Sequence, residues 1–258
     1  MLNHEKNNIT IESLKDTYEF LNNTEKSYVV EEGKTLTIID IFDTDVESSF
    51  VRDLKVANNA TLNYIKVGKS TAKTTVDYTG DIGENATLNM TIFEVKSSIN
   101  SVYTKLKNSN SNLNINALLD LKHSERVVYD VKTNHQNKSF SDIEFKNLLS
   151  GKSSAKLDLF SIVEENASFS NAFQHSQTIL LSDDSYISVA PHLEILIDEL
   201  EASHGATCGD LDQDSIHYLE SRGIDEKAAE KILLNALKNE VFETLENEDL
   251  REYVQGLV

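Results

Sequence analysis

Several residue types that most globular domains use freely are scarce in this chain of 258 residues. It contains one cysteine, one proline, nine glycines and no tryptophan. The single cysteine, Cys208, excludes an internal disulfide and a metal site built only from paired cysteines. So little glycine and proline is unusual for a loop-rich enzyme, because tight turns and ligand-binding loops recruit both residues. Asparagine, aspartate and serine are therefore expected to form most of the turns.

Positive charge is scarce as well. The chain has 24 Lys and Arg against 43 Asp and Glu, which gives a formal net charge of −19 and a pI near 4.7. Nucleic acids and anionic membranes attract clustered positive charge, so the composition argues against both as partners. The amino-terminal sequence lacks the pattern of a secretory signal, and no apolar run approaches the roughly 18 residues of a membrane span. We expect a cytoplasmic protein.

Short β-branched runs separated by polar turns extend from residue 27 to about residue 197, which predicts strands. A phrase repeats among them: Asn59-Ala-Thr-Leu-Asn63 recurs as Asn85-Ala-Thr-Leu-Asn89, 26 residues later, and as Asn166-Ala-Ser-Phe-Ser170 after 81 more. Such a period predicts coils that bury their apolar residues only by stacking on the next coil, as in a β-solenoid. A β-sandwich fits the number of strands but not the shared phrase.

Helical patterns lie on both sides of this region. Ile11, Leu14, Tyr18 and Leu21 have helical spacing and predict a short amphipathic helix over residues 11–22. The predicted organisation is an N-terminal helical segment at 1–26, a β-solenoid core at 27–200 and a C-terminal helical domain at 201–258.

Three helices are predicted in the C-terminal domain. Asp212 is a candidate N-cap for a helix through Ser221, and Asp225 for a helix running to about Leu245. A third short helix spans residues 247–254. The second carries a wide apolar stripe that must pack against the solenoid, a sibling helix or another protein; its members are Ala229, Ile232, Leu233, Ala236, Leu237 and Val241.

The densest group of reactive side chains lies between Glu201 and Asp210, where a histidine, the only cysteine and two acids fall within ten residues. Imidazole and thiolate both ligate iron, so His204 and Cys208 are candidate metal ligands. A histidine and a cysteine in a glycine-containing linker are more often structural. Attack by Cys208 with His204 as base is a further alternative, although no nucleophile elbow, phosphate loop or zinc-protease motif accompanies them.

The order and spacing of several short motifs resemble the C-terminal signature of the SufB/SufD family of iron–sulfur cluster assembly proteins, and SufD more closely. The matching stretches are Pro191-His-Leu-Glu-Ile195, Ser203-His-Gly-Ala-Thr207, Gly209, Leu211-Asp212, Tyr218-Leu219 and Ser221-Arg-Gly-Ile224. Leu180-Leu-Ser-Asp183 and Val29-Val-Glu-Glu-Gly33 also resemble the family.

The resemblance implies a mainly β protein: a right-handed parallel β-helix followed by a small helical domain. It implies a non-catalytic scaffold in a SUF system, handling a transient iron–sulfur cluster. The scaffold would pair through its β-helix with a SufB-like chain or with itself, and would bind a SufC-like ABC-type ATPase through its C-terminal helices. Residues expected at the ATPase surface are Tyr218, Leu219, Arg222, Ile232, Leu233 and Leu237.

The resemblance also assigns roles around the cluster. His204 matches the SufD histidine implicated in cluster assembly, and Gly205 matches the SufD form of the motif. The sulfur-accepting cysteine of SufB falls at Ser176, so that function is expected to be absent. Cys208 stands where the family more usually has valine: it is either a small buried hydrophobe or, in a lone scaffold, the only thiolate ligand, with His204 and Glu201.

Two other functions are compatible with a β-helix. One is an enzyme acting on acidic polysaccharide, which would need a groove with several acids and bases and, normally, secretion; the net charge of −19 argues against an anionic glycan. The other is a degenerate scaffold that stabilises the assembly and binds no cluster.

Overall fold

The computed structural model describes residues 16–24 and 26–258, which contain fifteen strands and three helices. The strands are β1 (Thr17–Leu21), β2 (Ser27–Val30), β3 (Thr35–Phe42), β4 (Ser48–Val56), β5 (Thr61–Gly68), β6 (Thr74–Ile82), β7 (Thr87–Glu94), β8 (Ser98–Leu106), β9 (Ser111–Leu121), β10 (Arg126–His135), β11 (Ser139–Leu149), β12 (Ser154–Val163), β13 (Asn171–Leu180), β14 (Tyr186–Ile195) and β15 (Glu201–Gly209). The helices are α1 (Gln213–Ser221), α2 (Glu226–Phe242) and α3 (Glu248–Gln255).

The strands form a parallel β-solenoid with two sheets. Odd-numbered strands build an eight-stranded sheet in the order β1-β3-β5-β7-β9-β11-β13-β15, and even-numbered strands build a seven-stranded sheet from β2 to β14. Each turn adds one strand to each sheet, and every pair is parallel. Leucine, isoleucine, valine and aromatic side chains fill the space between the sheets. The predicted mainly β solenoid with C-terminal helices is confirmed.

The repeated asparagine phrase marks one corner of the solenoid. Asn59 and Asn85 have φ angles of 56° and 52°, a left-handed conformation that asparagine tolerates well. Leu62 and Leu88, which follow them, pair in register and are fully buried. Asparagines at the ends of the phrases also stack: Asn89 Nδ2 donates to Asn63 Oδ1 at 2.9 Å, and Asn114 continues the ladder at 2.8 Å. The shift of 26 residues is therefore one turn.

The third copy of the phrase is out of phase by three residues. Phe169, not Asn166, has the left-handed φ angle, 63°. Its amide donates to the Glu199 carbonyl, as the Asn85 amide donates to the Ser109 carbonyl three turns earlier. The phrase at 166–170 resembles the repeat by composition only, because the turn that precedes it is longer.

The predicted N-terminal helix is wrong where the structure describes the chain. Residues 17–21 form β1, which pairs with β3, and Phe20 packs against the solenoid core. Pairing with a strand some twenty residues away outweighs the helical spacing of Tyr18 and Leu21, since strand formation depends on neighbours as much as on propensity. Residues 11–15 lie outside the described residues.

The C-terminal boundary also differs from the expectation. Residues 201–209 are the last strand, β15, and not the start of a helical domain. The helices that follow agree with the sequence: Asp212, Asp225 and Asn247 each accept a hydrogen bond from the amide three residues on. Gly223, with φ of 86°, ends the first helix.

Helices α2 and α3 pack on the outer face of the odd-numbered sheet. Phe242 stacks on Phe93 with ring centroids 4.6 Å apart, and the contact is continuous along one apolar cluster made of Ile39, Ile41, Ile65, Val67, Phe93, Leu118, Leu148, Leu237, Val241, Phe242, Leu245, Leu250 and Val254. Ion pairs flank it: Lys238 lies 2.6 Å from Asp120, and Lys146 lies 2.8 Å from Glu240. The helical segment is thus fixed to the solenoid.

The amino-terminal half of the solenoid interior contains a buried ion pair. Lys66 Nζ donates to the Glu94 carboxylate and, at 2.5 Å, to Asn100 Oδ1. Tyr129 also donates to the carboxylate, at 2.8 Å. Burial lowers the pKa of Lys66, and Glu94 opposes that shift. Gly68 is required beside it, because a Cβ at this position would overlap the Glu94 carboxylate.

A second buried ion pair lies one turn earlier. Arg52 Nε donates to Asp40 Oδ2 at 2.6 Å, and the Tyr64 hydroxyl donates to the same oxygen at 2.5 Å. Burial acts to lower the pKa of Arg52, but the Asp40 carboxylate outweighs it and the pKa is raised. Both ion pairs place charged side chains in the solenoid interior. The alternation of polar and apolar residues along a strand would by itself predict apolar side chains there.

Candidate functional site

The C-terminal end of the solenoid is open. Strand β14 pairs only with β12, and β15 pairs only with β13. In the part of the chain that the structure describes, no strand pairs with the outer edge of either. Unpaired backbone donors and acceptors on such an edge are a template for another strand. The candidate residues His204 and Cys208 both lie on this edge strand.

Strand register shows which way these side chains face. His204 pairs with Gln174 and Cys208 with Thr178, and both partners on β13 are buried in the solenoid interior. Side chains at matching positions of parallel strands share a face, so His204 and Cys208 point toward the interior. Both are exposed, because no further turn covers them. Of the two alternatives for Cys208, the buried hydrophobe is therefore not seen within one chain.

The three candidate ligands do not converge. His204 and Cys208 are four residues apart on a strand, about 13 Å at roughly 3.3 Å per residue, whereas ligands of one ion each lie about 2.0–2.3 Å from it. Glu201 is three residues from His204 and therefore faces the opposite side of the strand. Among residues 16–24 and 26–258, no three His, Cys, Asp or Glu side chains are grouped to hold a metal ion. One chain alone does not place His204 and Cys208 on a shared ion.

The interior next to the open end is polar, which the sequence analysis missed. Gln174 Nε2 donates to Ser161 Oγ at 2.7 Å, and Asn147 Nδ2 donates to Ser176 Oγ at 3.0 Å and to Thr178 Oγ1 at 3.1 Å. All five side chains are buried. The sequence does show these polar residues on β11 and β13. Only the strand register, however, shows that their side chains face inward.

A further histidine lies on the outer face beside the candidate residues. His175, on β13, pairs with Gly205, and its Nε2 is 3.5 Å from Ser203 Oγ. It is separated from His204 by the sheet, since the two occupy opposite faces. His175 therefore does not complete a site with His204.

The residues expected to bind a partner ATPase divide into two groups. Tyr218 and Ile232 are 59% and 45% exposed on α1 and α2. Arg222 is also exposed, with its guanidinium 5.2 Å from the Tyr218 ring centroid, and Leu219 and Leu233 are half-buried. Leu237 is only 8% exposed and packs against the solenoid. Its assignment to a partner surface was wrong, because the apolar stripe of α2 is exposed at Ile232 but packs against the solenoid at Leu237.

Residues 19–237 match the family described as "SUF system FeS cluster assembly, SufBD core domain". This match covers most of the chain, including the open end and the α1–α2 surface. The chain belongs to the SufBD core domain family. The resemblance based on the motifs of residues 180–224 is thereby confirmed.

This SufBD core protein is similar to several curated proteins, among them proteins named SufD. It is 32% identical over 154 residues to "Iron-sulfur cluster assembly protein SufD" of Escherichia coli, covering 58% of this chain and 36% of that protein. It is 33% identical over 100 residues to "Protein ABCI7, chloroplastic" of Arabidopsis thaliana (37% and 21%), and 30% identical over 96 residues to SufD of Bacillus subtilis (37% and 22%). The matches thus span less than two thirds of each relative.

The family assignment favours a role in iron–sulfur cluster assembly over the polysaccharide-active enzyme weighed from the sequence. Ser176 occupies a buried inward position on β13, where its hydroxyl accepts from Asn147.

A search of the described residues for a helix long and apolar enough to cross a membrane finds none.

Proposed function

We propose that this SufBD core protein is a cytoplasmic scaffold subunit of a SUF-type assembly complex. It pairs with a SufB-like scaffold, or with a second copy, through the open end of its β-helix, and it binds a SufC-like ABC-type ATPase through α1 and α2. The scaffold performs no catalytic step, and the iron–sulfur cluster is its transient cargo. The match of residues 19–237 to the SufBD core carries this proposal.

The open edge supports pairing with another scaffold. Within residues 16–24 and 26–258, strands β14 and β15 each leave one edge unpaired, and inward-facing side chains of β15 are exposed. A second chain aligned against these edges would satisfy the backbone groups and cover the interior. Because His204 and Cys208 are about 13 Å apart, further ligands for a nascent cluster must come from that second chain.

Replacing His204 by alanine is expected to lower the yield of cluster at least about tenfold while leaving the protein complex intact. The yield should fall because a candidate imidazole ligand at the open end is lost. The complex should stay intact because removing this exposed side chain disturbs no buried contact. The measurement is reconstitution of the purified complex with iron and sulfide under anaerobic conditions, followed by absorption spectra and iron content.

The matched control for this experiment is His123→Asn. His123 is an exposed histidine in a left-handed corner, a conformation that asparagine tolerates, and it lies on an inner turn. It should assemble cluster like the parent protein. Normal cluster yield from His204→Ala would remove His204 from the mechanism and favour a degenerate scaffold. A second variant, Cys208→Val, is expected to retain the cluster if a partner supplies the thiolate.

Replacing Ile232 by glutamate is expected to weaken binding of the ATPase at least about tenfold, because a charge would enter the centre of an apolar contact. The measurement is purification of the tagged protein from its native cytosol and identification of co-eluting proteins by mass spectrometry, followed by titration with the purified ATPase. The control is Val46→Glu, since Val46 is 65% exposed on a corner of the first turns. Equal loss in both variants, or recovery of no ATPase at all, would contradict the assignment of α1 and α2.

A further inference from the structure

A buried glutamine next to the open end has an amide oxygen without a partner. Gln174, on β13, is fully buried, and its Nε2 donates to Ser161 Oγ at 2.7 Å and to the His192 carbonyl at 3.3 Å. A carbonyl only accepts, so the amide nitrogen must face His192, and the orientation of the carboxamide is fixed. Its Oε1 is buried and has no hydrogen-bond partner within the described chain. A buried acceptor left unpaired is costly, so this oxygen requires an explanation.

The residue best placed to pair with this oxygen is His204. It lies beside Gln174 in the register of β15 and β13, and both side chains face the interior. Neighbouring strands are about 4.8 Å apart, which brings polar side chains at matching positions within hydrogen-bonding reach. The solenoid already contains such a pair, since Asn147 Nδ2 donates to Thr178 Oγ1, its register partner on β13, at 3.1 Å. Because the His204 side chain is exposed, its ring can turn until an N–H points at Gln174 Oε1.

A hydrogen bond of this kind decides which ring nitrogen is available to iron. A neutral imidazole carries a single N–H, and when that N–H is donated to a fixed acceptor the other nitrogen keeps its lone pair. Histidines that ligate metals generally donate their other N–H to an oxygen, which sets the tautomer and holds the ring in one orientation. Ser161 and the His192 carbonyl hold the glutamine from the other side, so the acceptor does not turn away.

We propose that Gln174 is a positioning residue for His204. Its Oε1 accepts one imidazole N–H and thereby fixes the tautomer and the direction in which the ring presents its other nitrogen to iron. This role rests on the function proposed above for His204 and deepens it, because it names the residue through which the fold prepares that histidine. Gln174 itself contacts neither iron nor sulfide.

The first test detects the hydrogen bond in the full chain without iron. Long-range proton–nitrogen NMR spectra at about pH 8, where an ordinary imidazole is neutral, distinguish the two tautomers, and His204→Ala identifies the His204 signals. The parent chain should show one tautomer with an N–H protected from exchange with water, and Gln174→Met should show both tautomers with rapid exchange. Methionine is unbranched like glutamine but lacks the oxygen acceptor. A mixture of tautomers in the parent chain would overturn the proposal, whether or not the variant folds.

The matched control is Gln177→Met. Gln177 is the other glutamine of β13 and faces outward, where its Oε1 accepts from Lys146 Nζ at 3.0 Å. This variant should leave both the His204 tautomer and the yield of cluster unchanged. Loss of the single tautomer in Gln177→Met as well would indicate a general loss of order in β13 and overturn the specific role of Gln174.

The second test measures cluster yield in the purified complex by reconstitution with iron and sulfide. Gln174→Met should lower the yield about tenfold in the parent background. It should cause no further loss in the His204→Ala background, because it acts only through the imidazole. A further loss in the double variant, or a normal yield from Gln174→Met alone, would overturn only the role of Gln174. A normal yield from His204→Ala would overturn the proposed role of His204, and that of Gln174 with it.

Discussion

Replacing Lys66 by methionine is expected to lower the free energy of unfolding by about 3–5 kcal/mol. The change leaves the Glu94 carboxylate fully buried without its cation. Tyr129, Ser98 and Asn100 still donate to it, at 2.8, 2.9 and 3.2 Å, but three neutral donors do not compensate a charge removed from water. Urea denaturation followed by circular dichroism measures the effect.

Two further variants make this result specific to the buried pair. The double variant Lys66→Met with Glu94→Gln should recover most of the loss, because no charge is then left unpaired inside the solenoid. Lys55→Met removes one side of an exposed pair, with Lys55 and Asp53 3.7 Å apart, and should change stability by less than about 1 kcal/mol. A single variant at Lys66 as stable as the parent would show that the pair does not stabilise the fold.

Lowering the pH from 6.5 toward 4 is expected to destabilise the protein through His135 by up to about 3 kcal/mol. Burial lowers the pKa of His135 from its usual 6.5 to about 4. Between these two values the unfolded chain binds the proton and the folded chain does not, so stability is lost as the pH falls. The neutral ring suits its site, where Ser139 Oγ lies 2.8 Å from Nδ1 and Ser141 Oγ 2.9 Å from Nε2.

The measurement is urea denaturation at several pH values for the parent chain and for His135→Gln. Glutamine keeps hydrogen-bonding capacity but does not titrate. The carboxylates titrate alike in both proteins, so the difference between the two curves isolates the histidine. The parent chain should lose more stability than the variant between pH 6.5 and 4. Parallel curves would show that His135 is protonated as easily in the folded state as in the unfolded chain.

Much of the architecture was predictable because it depends on local patterns. The asparagine phrase at Asn59 and Asn85 specified both a left-handed corner and the turn length of 26 residues. The three helices followed from capping residues such as Asp212 and Asp225, which bond amides only three residues away. Motif order in residues 180–224 was enough to place the chain in its family.

The arrangement of the candidate site was not predictable in the same way. Which face a strand residue occupies depends on register, and a shift of one residue reverses it. Only the pairing of β15 with β13 shows that His204 and Cys208 face the interior while Glu201 faces outward. Non-local contacts also explain two other differences. Residues 17–21 form a strand because they pair with β3. At the third copy of the phrase, Phe169 has the left-handed conformation.

The sequence by itself determined the solenoid, its corners at Asn59 and Asn85, its three C-terminal helices and its family, since each rests on contacts within a few residues or on repeated spacing. The tertiary structure alone decided that Leu237 packs on the solenoid, that Lys66 meets Glu94, and that the last turn is open. These features depend on residues that are distant in sequence and adjacent only after stacking. Stacking sets burial, and burial decides which polar groups must be paired and which remain free for a partner.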